Sequence, residues 1–243
     1  LYQMIIAVIP AKSGSLRLKN KNIRILNKKP MIYWSIKYAK KSKLLDKIYV
    51  STNSKKISDL MKKYKIPVIK RPLKLCGETP IMDVYKHSFN RTKKSAKIIV
   101  GLQPDHPDRT CDVDYLITSF IKKKADILYS VDKNNIKNGA HYIISKRVLM
   151  GKKVKKKIKT LENCTNIHFK KDLKRAEDKG INIELKELTP LSAKKEKIYA
   201  HIDPKTEAYI SAFGILEKTT ENGYATSRLV IHLPTYLHEL DEK

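Results

Sequence analysis

No stretch of the chain approaches the roughly 20 consecutive apolar residues of a membrane-spanning helix. No charged-then-apolar leader opens it. A cytoplasmic protein with no membrane partner is therefore expected. Cysteine is scarce: Cys76, Cys111 and Cys164 are odd in number, far apart and without C-x-x-C pairing. That argues against a disulfide framework or a zinc site and fits a reducing compartment. The chain has neither the G-K-[ST] ending of a P-loop nor a G-x-G-x-x-G run. Helix-turn-helix, RNP and zinc-finger signatures are missing too.

Acidic residues are also in deficit, with 24 Asp and Glu against 52 Lys and Arg and a net charge of +28. Such an excess suggests nucleic acid or another anionic surface. The cations, however, are mostly lysine spread along the chain, whereas arginine is the residue suited to phosphate and base forks. The charge reads as compositional bias, with weak adhesion to RNA at low salt and no specific nucleic-acid partner.

With 243 residues, 41% of them apolar, the chain can bury one large α/β core. Apolar runs at Met4–Ile9, Lys47–Ser51, Ile66–Ile69, Lys97–Leu102 and Ala125–Val131 read as strands. Between them lie helical patterns such as Met31 to Ser42, Ile57 to Tyr64, Ile81 to Thr92 and Val113 to Lys124. Residues from Asn138 read as a turn into a sixth strand. This alternation predicts a mostly parallel sheet with helices on both faces. We expect a single domain over 1–243, a solvated lysine-rich excursion at 151–197 and a tail at 223–243. A strand at Ile198–Pro204 should lead into a helix from Lys205 to about Leu216.

The first strand runs into Pro10-Ala11-Lys12-Ser13-Gly14-Ser15-Leu16-Arg17-Leu18-Lys19-Asn20-Lys21-Asn22. Small residues let backbone N–H groups approach an anion, and Lys12, Arg17 and Lys21 can neutralise it. Further polar clusters at 51–54, 71–79 and 103–110 also follow strands. Ligands of parallel α/β sheets sit at the carboxyl ends of the strands, so these clusters should meet on one rim.

The stretch from Ile5 to Pro30 resembles the opening of acylneuraminate cytidylyltransferases, approximately I-x-x-I-P-A-R-x-G-S-K-x-L-P-x-K-N. Further pieces follow in that family's order: Val50-Ser51-Thr52-Asn53, Arg71-Pro72 with Glu78-Thr79, Leu102 to Thr110, Asn138-Gly139-Ala140 with Tyr142, and His201-Ile202-Asp203-Pro204. Some site residues are closer to the CMP-Kdo synthetases, whose motifs place an arginine at Arg17 and an aspartate at Asp105. Departures from the sialic-type pattern are Lys12 for arginine, Leu16 for lysine and His201 for the first aspartate of D-I-D.

The resemblance implies a three-layer Rossmann-like fold of the nucleotide-diphospho-sugar transferase type. It implies transfer of CMP from CTP to the anomeric hydroxyl of a sialic, legionaminic, pseudaminic or Kdo-like 2-keto sugar acid. By the same resemblance Lys12, Arg17 and Lys21 are the catalytic cations. Ala11, Ser13, Gly14, Ser15, Asn22, Arg71 and Glu78 bind the nucleotide. Gln103, Arg109, Asn138, Gly139 and Ala140 face the sugar, and Asp105 and Asp203 hold Mg2+. A homodimer is implied, with a reduced interface because the interval from Arg109 to Asn138 is short. The competing readings are an inactive relative with a binding or assembly role and a basic nucleic-acid-associated protein.

Overall fold

The computed structural model describes residues 4–15, 17–92 and 96–176, together with the backbone of strand segments at 201–203, 208–211, 213–214 and 229–230. The chain divides into two compact units, Leu1–Leu173 and Lys174–Lys243. In chain order the first unit contains β1 (Ile5–Pro10), β2 (Ile25–Leu26), β3 (Lys29–Pro30), α1 (Met31–Lys40), β4 (Lys47–Thr52), α2 (Lys55–Lys63) and β5 (Val68–Lys70). There follow α3 (Ile81–Arg91), β6 (Ile98–Gly101), α4 (Val113–Lys122), β7 (Ile127–Val131), β8 (Lys137–Ser145), α5 (Lys146–Leu149) and β9 (Lys157–Leu161).

A seven-stranded sheet has the order β5-β4-β1-β6-β8-β7-β9. β1 pairs parallel with β4 and β6, β4 with β5, and β7 with β9. Strand β8 runs against both of its neighbours. The reason lies in the turn before it. Asp132 Oδ1 accepts from the Asn134 and Ile136 amides at 2.9 and 2.8 Å, and Asn135 takes φ 63°. So tight a connection returns the chain antiparallel, because a parallel return needs a long crossover.

β1 is buried along its length, and its alternation feeds two cores. Ile5, Ala7 and Ile9 pack with Ile36 of α1, Met61 of α2 and Phe120 of α4. Ile6 and Val8 pack with Tyr85 and Phe89 of α3 and Val148 of α5. Burying each large apolar side chain fully contributes about 1.5–3 kcal/mol. The expected three layers follow from this arrangement. Two helix N-caps are formed as well: Ser54 Oγ accepts from the Ile57 amide at 3.3 Å, and Asp112 Oδ1 from the Tyr115 amide at 2.7 Å.

The lysine run at 152–157 is exposed and leads into the edge strand β9. The run's backbone is held while its ammonium groups stay outside: the Asp126 carboxylate accepts from the Lys155 and Lys156 amides at 2.5 and 3.1 Å and from Arg147 at 2.7 Å. One expectation is corrected, the helix expected from Lys205. In the second unit β10 (His201–Asp203) pairs antiparallel with β11 (Ala208–Ser211), and β12 (Phe213–Gly214) with β13 (Leu229–Val230). Tyr209 and Ile210 are strand-favouring residues, and here pairing overrides the helical spacing. Among the described residues no helix is long and apolar enough to cross a membrane.

Candidate active site

β4 and β5 lie to one side of β1 and β6 to the other. The loops leaving the carboxyl ends of β1 and β6 therefore diverge, which opens a crevice between them. A cavity of about 270 Å3 lies there. Lys12, Ser15, Lys21 and Asn22 line it from the loop after β1, Arg71, Gly77 and Thr79 from the loop after β5, and Gln103 and Asp105 from the loop after β6. A larger hollow of about 530 Å3 opens at the other end of the sheet, beside Ala39, Lys47 and Pro67, and gathers none of these loops.

Hydrogen bonds join the strand-end clusters to one another. The Ala11 amide donates to Ser51 O at 2.9 Å. The Ser13 amide donates to Asn53 Oδ1, and Asn53 Nδ2 donates to Ser13 Oγ at 2.7 Å. Lys12 Nζ donates to Gly77 O at 2.9 Å, and Asn22 Nδ2 to Lys12 O at 2.8 Å. Arg71, buried at 4% exposure, donates through Nε and a terminal nitrogen to Ser51 Oγ and Ser51 O at 3.2 and 2.7 Å. Gly14 adopts φ 75°, a left-handed turn that suits glycine. The loop after β1 is thus braced by its neighbours, with Lys12 and Lys21 lining the crevice.

Asp105 is the acidic counterpart. Lys21 Nζ lies 2.6 Å from its Oδ2, and the buried His106 ring has Nδ1 3.1 Å from its Oδ1. Burial alone would raise this carboxyl, but His106 and Lys21 outweigh it and hold the group well below the usual carboxylate range. Oδ1 is buried and accepts no hydrogen bond. A buried carboxylate oxygen beside the crevice, next to the His106 ring but without a formed hydrogen bond, suits a hard divalent cation, which takes one or two carboxylates plus substrate oxygens. Among the described residues no group of three or more His, Cys, Asp or Glu side chains gathers as a metal cluster. The side chain of Asp203 lies outside the described residues, as does Leu16.

Other sequence-chosen residues stand apart from the cavity wall. Arg17 NH1 is 3.5 Å from His168 Nδ1. Glu78 is exposed. Arg109 lies behind the wall: it donates to Ala140 O at 2.9 Å, Ser35 Oγ at 3.0 Å, Gln103 O at 2.5 Å and His106 O. Asn138 Oδ1 accepts from Ser130 Oγ and the Ala140 amide at 2.6 and 3.1 Å. Gly139, at φ 83°, abuts Gln103 so closely that a Cβ there would stand 2.5 Å from Gln103 Nε2. These residues shape the loop that carries Gln103 and Asp105.

The sequence reading missed the segment from Glu162 to His168, which lies along the same loop. Glu162 accepts from Thr110 and Cys111, Thr165 donates to Asp108, the Ile167 amide donates to Asp105 O, and Lys21 Nζ donates to Ile167 O. Its signal was weak, for it follows a lysine run and carries no strand or helix period.

The chain resembles known proteins over part of its length. Over 106 residues, 43% of this chain, it is 32% identical to N-acylneuraminate cytidylyltransferase of Escherichia coli O18:K1:H7, covering 25% of that protein. Over 109 residues, 42% of this chain, it is 36% identical to CMP-N,N'-diacetyllegionaminic acid synthase of Campylobacter jejuni, covering 46% of that protein. The chain thus spans less than half the length of these curated relatives. In structure it is similar to a CMP:2-keto-3-deoxy-manno-octonic acid synthetase solved with CTP, with a TM-score of 0.62, 14% identity, 76% of this chain covered and all of that one. That likeness shows a shared Rossmann-like fold. The family profile described as Cytidylyltransferase matches residues 6–239, and the chain belongs to that family.

Proposed function

We propose that the chain transfers CMP from CTP to the anomeric hydroxyl of a 2-keto sugar acid and releases pyrophosphate. The observation that carries this reading is the crevice between β1 and β6, where Lys12, Lys21 and Arg71 face Asp105 in a member of the cytidylyltransferase family. Relatives named for sialic and legionaminic acids support the class of sugar.

In this reading the anomeric oxygen attacks the α-phosphorus in line and the pyrophosphate leaves. Protein groups contribute position and charge rather than covalent bonds. Lys12 and Lys21 meet the phosphates, and the Gly14 and Ser15 amides donate to them, so that charge developing on the leaving pyrophosphate is met by preorganised donors; Arg17, beside His168, would add its charge only by turning toward them. Asn22 and Arg71, both braced against neighbouring carbonyls, hold the nucleoside side. Gln103, backed by Gly139 and Arg109, presents the sugar side. Asp105 would hold Mg2+, and when bound the ion neutralises phosphate charge. A homodimer with a small interface belongs to the same proposal, checked by light scattering, as does action in the cytoplasm.

Pyrophosphate release from each of the four nucleoside triphosphates, with Mg2+ and a panel of 2-keto sugar acids, tests the reading. CTP-selective release with at least one acid is expected. No release with any CTP–acid pair, together with no CTP binding by calorimetry, overturns it.

A further inference from the structure

The loop that carries Asp105 leaves the sheet at Gly101 and rejoins regular structure at Val113. Much of what holds it is a second strip of backbone. Glu162 meets Thr110 and Cys111, Thr165 meets Asp108, and Ile167 meets Asp105, so residues 162–167 run antiparallel along the loop with their partners receding in step. At the head of this strip stands Glu162, fully buried at 0% exposure. Its carboxylate accepts from the Thr110 amide at 3.1 and 3.2 Å, Thr110 Oγ1 at 2.8 Å and the Cys111 amide at 3.0 Å. The backbone of Glu162 is pinned as well, its amide to Val131 O at 2.8 Å and its carbonyl by Asn138 Nδ2 at 2.8 Å.

The nearby cation is spent elsewhere, since the Arg109 guanidinium donates to Gln103, Ala140 and His106 carbonyls. His141 Nδ1 is 3.7 Å from Glu162 Oε2, outside hydrogen-bond reach, and the other edge of that ring meets the Tyr38 hydroxyl at 2.7 Å. A buried carboxylate persists when fixed donors satisfy it. Here those donors are the amides at the far end of the Asp105 loop. Carbon and hydrogen could fill the same space, but they could not orient two amides.

We propose that Glu162 is a positioning residue that sets the place of Asp105 in the crevice by clamping the Thr110–Cys111 end of its loop. This rests on the reading of the crevice as a nucleotidyl-transfer site with a divalent cation at Asp105. Glu162 touches no substrate. It acts by holding the loop on which the cation-binding oxygen is carried. Glu162→Gln sets an amide N–H2 against amide donors, whereas Glu162→Asp keeps the acceptors and shortens the reach.

The test compares wild type, Glu162→Gln, Glu162→Asp and Thr110→Val in the full chain. It reads kcat, KM for CTP, and the Mn2+ dissociation constant by water-proton relaxation in the presence of CTP without acid. Partners that orient a metal-holding group change metal affinity or activity by about 10- to 100-fold. Glu162→Gln is expected to lose kcat and Mn2+ affinity in that range with KM for CTP within about threefold. Glu162→Asp should recover part of the loss, and Thr110→Val should show a smaller loss in the same direction. Wild-type kcat and Mn2+ affinity in folded Glu162→Gln overturn the inference. Should that variant fail to fold, the same result in Thr110→Val does so. A rise in KM matching the fall in kcat also overturns it, since that pattern is general damage. A wild type that binds Mn2+ but turns over no acid overturns the proposed reaction alone and leaves Glu162 to be judged on Mn2+ affinity. A wild type that binds no Mn2+ overturns both.

Discussion

Lys21 sits where the two halves of the candidate site meet, with its ammonium 2.6 Å from Asp105 and 3.2 Å from Ile167 O. If it stabilises charge on the leaving phosphates, Lys21→Met should cut kcat by about 10²–10³-fold, the usual cost of removing one preorganised electrostatic partner. Steady-state kinetics with CTP check this, and an unchanged kcat would place the grip elsewhere. Gly139→Ala should act differently. Its left-handed φ costs a Cβ-bearing residue about 1–2 kcal/mol, and the added carbon must displace Gln103. Chemical denaturation should show that loss, together with a raised KM for the acid. Lys12, Lys21, Asn22, Arg71 and Asp105 were legible in the sequence because each lies in a loop that leaves the end of a strand, and strand ends of a parallel sheet share a rim. The hydrogen bonds of Arg109 and Asn138 were not, because a polar side chain's partners depend on which carbonyl the fold brings beside it.

Among the elements, β9 shows what charge runs conceal. Lysines at 152–157 are exposed, while Asp126 gathers the Lys155 and Lys156 amides and Arg147 around one carboxylate. Burial would raise the Asp126 carboxyl, but these donors outweigh it and lower it. Its contribution to stability is therefore present above the unfolded carboxylate value, about pH 3.9, and is lost as pH falls below that. Asp126→Asn should cost about 2 kcal/mol near neutral pH, the scale of a hydrogen bond to a charged group. The gap from wild type should close on acidification toward pH 2. Urea melts across pH 2–7 measure both; a gap that stays constant with pH would contradict the assignment. Gly101 is a second element-level constraint: a Cβ there would stand 2.2 Å from the Tyr85 ring, so Gly101→Ala should unseat α3 from β6 and lower Tm. The three-layer order was readable from strand–helix alternation. The reversal of β8 was not, because it depends on a turn held by Asp132.

For the whole molecule, a net charge of +28 sets a background of non-specific attraction to polyanions. That attraction should fall steeply with salt as counterion release weakens. Retention on immobilised RNA at 50 mM salt should vanish by about 0.3 M, and retention that persists would indicate a dedicated nucleic-acid surface. CTP shares the attraction, so its KM should rise modestly over the same range. The proposed chemistry is attack of a sugar hydroxyl on the α-phosphorus of CTP, and the strand-end crevice and the family match support it. The most direct measurement uses a 2-keto sugar acid labelled with 18O at its anomeric hydroxyl. The account predicts that the label appears in the bridging oxygen of a CMP-sugar, with unlabelled pyrophosphate released in equal amount. Free CMP without a glycosyl bond, or a CMP-sugar lacking the label, would contradict it.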